Sequence, residues 1–411
     1  MNGFQNPVTY TSECLFSLYN ELVFSKHVSR EYDGKFANKG AQIGDTINIR
    51  RPGRFTVSSG AALSTQDYTE TSIPLVINSQ KHIDTTFTSI DLTLKVQDFA
   101  ENIIKPKMMQ LANQIDQDGL QTAVVTIGNM AGDGTAPNSA ADVLDVGRKL
   151  DDFSAPRDGK RFLLIDTGSN ASLISALSGF FNDPRSISAQ YKDAVFLDAT
   201  NTLGFKIGMS QNLYRQTVGP LGGSPVVNGA NQGLSAGWAN TGTLITNGWT
   251  AAAAQRVAAG DNFTIVGLNA VNPVTRQSTG QLLQFTVLGA QSSDALGNLT
   301  LNITPAIIYA GPFQNCTAAP TNGNALTFAG TASTQYGRNL GWHESAFTLG
   351  CVDMIDVGSL GAWGARRQWK GLSLRVARQY AIATDTVPAR VDILYGWAAP
   401  YPELATQLRV A

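Results

Sequence analysis

Apolar residues recur at Leu15, Leu18, Tyr19 and Leu22, a spacing that lays one stripe along a helix from Thr11 to Phe24. Thr11 or Ser12 is placed to cap its start, and Glu13 suits its first turn. The stripe docks either on the chain's own core or on a neighbouring subunit. The pattern then changes to alternation through Ile43-Gly44-Asp45-Thr46-Ile47-Asn48-Ile49, a strand that runs into Arg50-Arg51-Pro52-Gly53-Arg54. Polar residues follow to Ser72, with Asp67 and Glu70 near the far end. Strand character returns at Ile73, Leu75 and Ile77 and continues through Ile83 and Phe87. Two strands thus flank a loop of about twenty residues, a length that is uncommon and usually functional or disordered. Its arginines either form a solvated face or reach a carboxylate on another subunit.

From Val96 to about Ile127 the period turns helical, with Ile104, Met108, Leu111 and Ile115 on one face and Phe99 and Ile103 nearby. Pro106 is expected to kink this helix or to mark a join between two segments. At 1.5 Å per residue such a helix spans about 45 Å, which suits an elongated subunit. Ala141 to Phe153 and Asn170 to Leu177 read as helices, Arg161 to Asp166 as a buried strand, and Asn201 to Leu213 as strand and turn. The alternation predicts a mixed α/β middle domain. Around Gly219 the chain becomes rich in Gly, Asn, Ser and Thr as far as Gly248. Short strands follow at Phe263–Val266, Leu282–Leu288 and Leu299–Thr304, with Gly297-Asn298 as a hairpin turn. Residues 249–328 are therefore read as an inserted all-β domain, left through a linker from Gly323 to Gly337. Leu372–Ala377 and Ala389–Tyr395 flank a polar turn at Thr384-Asp385-Thr386. This hairpin is expected to share a sheet with the early strands, because an inserted domain needs its host completed on both sides.

Composition narrows the class. A chain of 411 residues predicts two or three structural units. Apolar residues make up 43% and charged residues only 15%, a polar but sparsely charged surface that suits burial against copies of itself. A secreted adhesin or a lectin would share that bias. The net charge is −1, and no Lys/Arg run offers a strong nucleic-acid footprint, so sequence-specific readout is not expected. Cys14, Cys316 and Cys351 are few and far apart, which argues against a disulfide framework or a Cys-rich metal site. No apolar run approaches a membrane span, and Met1 to Pro7 lacks the basic and apolar regions of a signal peptide. The expected compartment is therefore a cytoplasm, where Asn298-Leu299-Thr300 needs no glycan.

Candidate chemistry is thin. Asp166-Thr167-Gly168 resembles the aspartic-protease signature, but that reaction needs two carboxylates sharing a proton, and no second such motif occurs. A turn is the ordinary reading of these residues. Gly128 to Thr135 is Gly-rich but is not followed by the Lys-Ser/Thr of a phosphate-binding loop. His27, His82 and His343 are scattered and form no helical ligand pair. No catalytic, cofactor or metal site can be assembled, so a non-enzyme is expected.

Asn339-Leu340-Gly341-Trp342-His343-Glu344-Ser345-Ala346-Phe347 resembles the motif that introduces the last part of tailed-phage coat proteins. Gly371–Val376 with Arg390–Trp397, then Pro402-Glu403, is similar to their terminal sheet. The block Gly44-Asp45-Thr46-Ile47, the long loop, the helix around Leu111-Ala112-Asn113 and the β-rich insertion complete a resemblance to the P22-like coat proteins over most of the chain.

The resemblance implies an α+β, HK97-like capsid fold with an inserted all-β domain. Residues 1–42 would be an N-terminal arm, 43–72 the strand and E-loop, and 73–140 the peripheral domain with its long spine helix. Residues 141–248 would be the axial domain, 249–328 the insertion, and 329–411 the return to axial and peripheral domains. The E-loop would lie on a neighbouring subunit, making Arg50, Arg51, Arg54, Asp67 and Glu70 subunit-interface residues. Some relatives weld their shells with a Lys–Asn isopeptide bond from this loop. Residues 50–72 contain no Lys, so a non-covalent shell is expected. The implied function is self-assembly into pentamers and hexamers of an icosahedral virion shell, built in the host cytoplasm with a scaffolding protein and a portal. The shell would enclose double-stranded DNA without binding a sequence, and without a membrane or a cofactor. Another virion or surface β-protein, such as a tail component or adhesin, explains the composition but not the long helix or the terminal hairpin. An aspartic-type protease ranks third.

Overall fold

The computed structural model describes residues 7–30, 46–61, 63, 65–66, 68, 70–88, 104–177, 203–360 and 362–410. It is an α+β chain. In order come α1 (Pro7–Glu21), β1 (Thr46–Arg51), β2 (Thr71–Val76), β3 (Ser79–Thr88), α2 (Lys105–Thr126), β4 (Met130–Ala131), α3 (Ala140–Asp152), β5 (Arg161–Ile165), α4 (Thr167–Leu177), β6 (Lys206–Met209) and β7 (Arg215–Thr217). A run of strands follows: β8 (Gly223–Val227), β9 (Gly242–Trp249), β10 (Gln255–Val257), β11 (Asn262–Val271), β12 (Ser278–Val287), β13 (Gln291–Ser292), β14 (Leu299–Thr304) and β15 (Leu326–Phe328). The chain ends with β16 (Gln335–His343), β17 (Thr348–Cys351), β18 (Trp363–Trp369), β19 (Leu372–Arg378), β20 (Thr386–Ala398) and β21 (Ala405–Val410). Among the described residues no helix is long and apolar enough to cross a membrane.

Two compact units divide the chain. The first combines Met1–Ile49, Pro74–Gly119 and Phe347–Ala398. Its sheet is centred on β20, which pairs with β19 and β17 and, from Thr386 to Tyr395, with β3. The terminal hairpin and an early strand do share a sheet, as insertion logic requires. α1 buries Tyr10, Thr11, Cys14, Leu15 and Leu18, and Tyr10 meets Trp363 of β18 at 6.5 Å. Its start is corrected from Thr11 to Pro7. The Thr11 and Ser12 hydroxyls are inside the helix and donate to the carbonyls of Pro7 and Val8 at 2.7 and 2.9 Å, so neither is a cap. The helix expected from Val96 is seen from Lys105; residues 96–103 lie outside the described ones. Pro106 stands two residues after Ile104, which is π-helical, and the expected kink or join falls at the edge of residues 89–103, which lie outside the described ones. The predicted face, Ile104, Met108, Leu111 and Ile115, is buried.

The second unit combines Arg50–Ile73, Leu120–Ala346 and Ala399–Ala411. One sheet has the order β4-β21-β16-β5-β6, with β7 also on β16. Its core joins Val143, Val146 and Leu150 of α3 to Leu163, Ile165, Phe205 and Leu408. The other sheet has the order β15-β11-β12-β14-β9-β8. A bridge between Val226 and Ala325 brings its two edges together, so the six strands close around Val227, Leu244, Phe263, Phe285, Leu301 and Ile303. Closure removes exposed sheet edges. It also draws β8 and β9 from the Gly- and Asn-rich stretch before residue 249, because a barrel takes strands by edge pairing and not by composition. The turn expected at Gly297-Asn298 is centred two residues earlier, on Ala295-Leu296: the Gly297 N–H donates to the Asp294 carbonyl at 3.2 Å, and Asp294 Oδ1 accepts the N–H groups of Leu296 and Asn298 at 2.8 Å each.

Candidate subunit-contact loop

The segment between β1 and β2 is anchored at its root and open at its tip. β1 alternates in burial and ends with Arg51 turned inward. The Arg51 side chain is 7% exposed and forms an ion pair with Glu403. Its guanidinium lies 4.6 Å from the Tyr401 ring centre and 5.0 Å from that of Trp238. A planar, weakly hydrated cation suits such a ring-lined site better than an ammonium would. Arg54 reaches the same Glu403 oxygen at 3.4 Å and stands 5.8 Å from the Phe313 ring centre. Burial pushes its pKa down, and the Glu403 charge partly restores it. Both arginines edge a narrow cleft of about 70 Å³ whose walls include Phe153, Leu283 and Ile308.

Beyond the root the two arms of the loop are tied to each other. The Gln66 amide oxygen accepts the Thr56 N–H at 2.7 Å and the Thr56 hydroxyl at 2.9 Å, and its amide nitrogen donates back to the Thr56 carbonyl. Phe55 stacks on Tyr68 at 5.9 Å. Past this zipper, Val57 is 99% and Leu63 90% exposed. Arg50 pairs with Glu70 at 3.4 Å with both side chains in solvent, and such a pair contributes little.

Of the sequence-expected residues, Arg51 and Arg54 converge on one carboxylate of their own chain, while Arg50 and Glu70 form a separate exposed pair. Asp67 lies outside the described residues. Glu403, Trp238, Tyr401 and Gln66 were not foreseen. Glu403 is more than three hundred residues from Arg51 in sequence. Phe55 and Tyr68 were visible as two aromatics at either end of a polar loop.

The residues singled out for chemistry have structural tasks. Asp166 caps α4: its Oδ1 accepts the Ser169 N–H at 2.9 Å. Its own N–H donates to the Asn339 side chain at 2.9 Å. Asn339 also donates to the Ser169 hydroxyl at 2.7 Å, which locks that turn onto β16. The three cysteines are buried, and none is in a disulfide among the described residues. His343 is buried and lies 3.1 Å from Asp158, and His82 lies 3.0 Å from Asp84. No group of three metal-binding side chains occurs among the described residues.

A family model described as "P22 coat protein - gene protein 5" matches residues 7–409. No curated protein sequence matches the chain. Among solved structures, one from Mycobacterium phage Che8 aligns at TM-score 0.46 and 14% identity, over 94% of this chain and 90% of that one. The capsid of cyanophage P-SCSP1u aligns at TM-score 0.43 and 11% identity, over 90% and 84%. The CUS-3 coat protein I-domain aligns at TM-score 0.20 and 27% identity, over 26% of this chain and 94% of that one.

Proposed function

From the premise that this chain belongs to the P22 coat protein family, and is a major capsid protein of a tailed phage that assembles with copies of itself into the virion shell, we propose how its parts serve assembly. The loop at 50–72 is the E-loop and docks on a neighbouring subunit. The observation that carries this is the contrast between a tethered root and a bare apolar tip. Arg51, Arg54 and Glu403 hold the root, the Thr56–Gln66 and Phe55–Tyr68 pairs stiffen the arms, and Val57 and Leu63 project without cover. A stiff arm loses less entropy on docking than a floppy one. Arg50, Asp67 and Glu70 would add polar contacts to the same subunit interface.

The remaining assignments follow from the same premise. α2 is the spine helix, within a peripheral domain that starts near residue 73. The axial domain begins near residue 141, and the closed sheet of Gly223–Phe328 is the inserted domain of an HK97-like fold. Because residues 50–72 lack lysine, the shell is held by packing and polar contacts, and many modest contacts add up across a closed lattice. A scaffolding protein and a portal join assembly, and the DNA inside is enclosed without sequence readout.

Electron microscopy of the expressed protein, alone and with its scaffold, tests this reading. Shells are expected. The double variant Val57→Asp, Leu63→Asp is expected to keep the melting temperature of the parent chain and to yield no shells. Shells of normal yield from that variant would remove the loop from the assembly interface. Monomers only, or a trimer or fibre, from the parent chain would overturn the shell itself.

A further inference from the structure

A second surface, in the other compact unit, carries positive charge that the shell does not obviously need. β18 ends at Trp369, and the two-residue turn Lys370–Gly371 returns the chain so that Leu372 pairs with Trp369. Both turn residues have positive φ, 47° and 76°, the geometry that matches the twist of a tight hairpin and that glycine supplies at its second position. The turn sets Lys370 against α1: its Nζ lies 4.5 Å from the Tyr19 ring centre and 4.6 Å from that of Trp369. Phe16 and Tyr19 meet Trp369 edge-on at 4.7 and 4.8 Å. Lys26 Nζ stands 5.3 Å from the Tyr19 ring centre and donates to the Asn20 carbonyl at 2.6 Å. Arg30 ties the cluster together, donating to the carbonyls of Lys370 at 2.6 Å and Ser25 at 2.7 Å. Arg367, exposed, shares the strand face of Trp369.

Lys26, Arg30 and Lys370 are thus held by rings and carbonyl oxygens, and among the described residues none has a carboxylate at ion-pair distance. A ring or a carbonyl orders a cation without cancelling its charge; a carboxylate would do both. Four cations stand here against Glu13 and Glu21 of α1. The patch is ordered in advance and its charge is left available.

We propose that this patch contacts the phosphate backbone of double-stranded DNA. The inference rests on the coat-protein reading, which places such DNA inside the shell, and adds a contact to it. Duplex DNA presents about one negative charge per 1.7 Å of its axis, so cations spaced over a surface find phosphates in any register. An acidic protein partner would need carboxylates matched to these particular positions. With a net charge of −1 over the whole chain, the contact is local and weak, which suits a wall that must hold DNA and later release it.

The test is fluorescence anisotropy of a labelled duplex with the full-length chain across a range of salt. The logarithm of affinity is expected to fall with the logarithm of salt at a slope of about −3.6, or about 150-fold between 50 and 200 mM. Lys26→Gln with Lys370→Gln should bring the slope to about −1.8, and Arg367→Gln alone should reduce it by about 0.9. Both variants are expected to melt as the parent does and to assemble shells by electron microscopy. That readout separates failure of the contact from failure of the coat-protein reading. No binding at low salt, or a slope unchanged in the double variant, would overturn the proposal. So would polyglutamate of matched charge binding as tightly as DNA, which would assign the patch to an acidic protein partner.

Discussion

Asp116 of α2 holds Ser25 by both its backbone and its hydroxyl. One carboxylate oxygen accepts the Ser25 N–H at 3.0 Å and the Ser25 hydroxyl; the other accepts the N–H groups of Val23 at 2.8 Å and Phe24 at 3.1 Å. These N–H groups lie beyond α1, at the start of the short 3-10 turn Ser25–His27, where the first donors have no partner within the turn, and the carboxylate is buried. The bonds place Phe24 against Phe347 at 5.6 Å and Trp397 at 5.4 Å. Asp116→Ala strands three backbone donors and is expected to cost about 3 kcal/mol, whereas Ser25→Ala loses one hydroxyl bond and costs about 1 kcal/mol. Urea unfolding of the two variants checks the ratio; equal costs would contradict the backbone bonds as the larger contribution.

The root of the loop should be far more sensitive than its exposed rim. Glu403→Ala leaves the Arg51 guanidinium buried without a counter-charge and is expected to cost about 3 kcal/mol. Glu70→Ala breaks a solvated pair and should stay within about 0.5 kcal/mol. Thermal melts of both variants decide this, and a Glu403→Ala variant as stable as the parent would show that the aromatic rings alone hold Arg51.

Gly119 is a packing requirement of α2. A Cβ there would meet the Trp397 ring at 2.6 Å. Alanine is usually the better helix former, yet Gly119→Ala is expected to destabilise by about 1–3 kcal/mol through overpacking. In the Trp397→Leu background the same change should become neutral or favourable, a coupling of at least about 0.5 kcal/mol in a double-mutant cycle.

Asp151 gives the chain an acid-sensitive contact. Partial burial works to raise its pKa, but hydrogen bonds from Arg157 and Arg161 outweigh burial and hold it below the ordinary carboxylate range. Arg161 is buried and reaches Asp151 at 2.7 Å. A depressed folded-state pKa contributes stability that is present above the unfolded value and is lost as pH falls through the folded one. Asp151→Asn should therefore be less stable than the parent at neutral pH, and the gap should close as pH falls below the ordinary carboxylate range. Urea midpoints between pH 2 and 7 measure the closure; a gap independent of pH would sink the assignment.

The sequence by itself determined the elements whose signal is local. The stripe at Leu15, Leu18 and Leu22, the face at Met108, Leu111 and Ile115, the alternation on both sides of the arginine loop, and the terminal hairpin all appear in place. So does the family, carried by short motifs in a fixed order. Periodicity is readable because burial of one face imposes it on consecutive residues. Tertiary structure decided what depends on distant partners. Pairing across more than three hundred residues gave Arg51 and Arg54 to Glu403, although the sequence left open a carboxylate on another subunit. Edge pairing of Val226 with Ala325 closes a sheet that starts at Gly223, where the strand pattern suggested residue 249. Asp116 is one more polar residue on a helix until the turn after α1 brings it three N–H groups. Ion pairs, edge closures and end-capping carboxylates leave no period along the chain, because their energy comes from groups that only folding brings together.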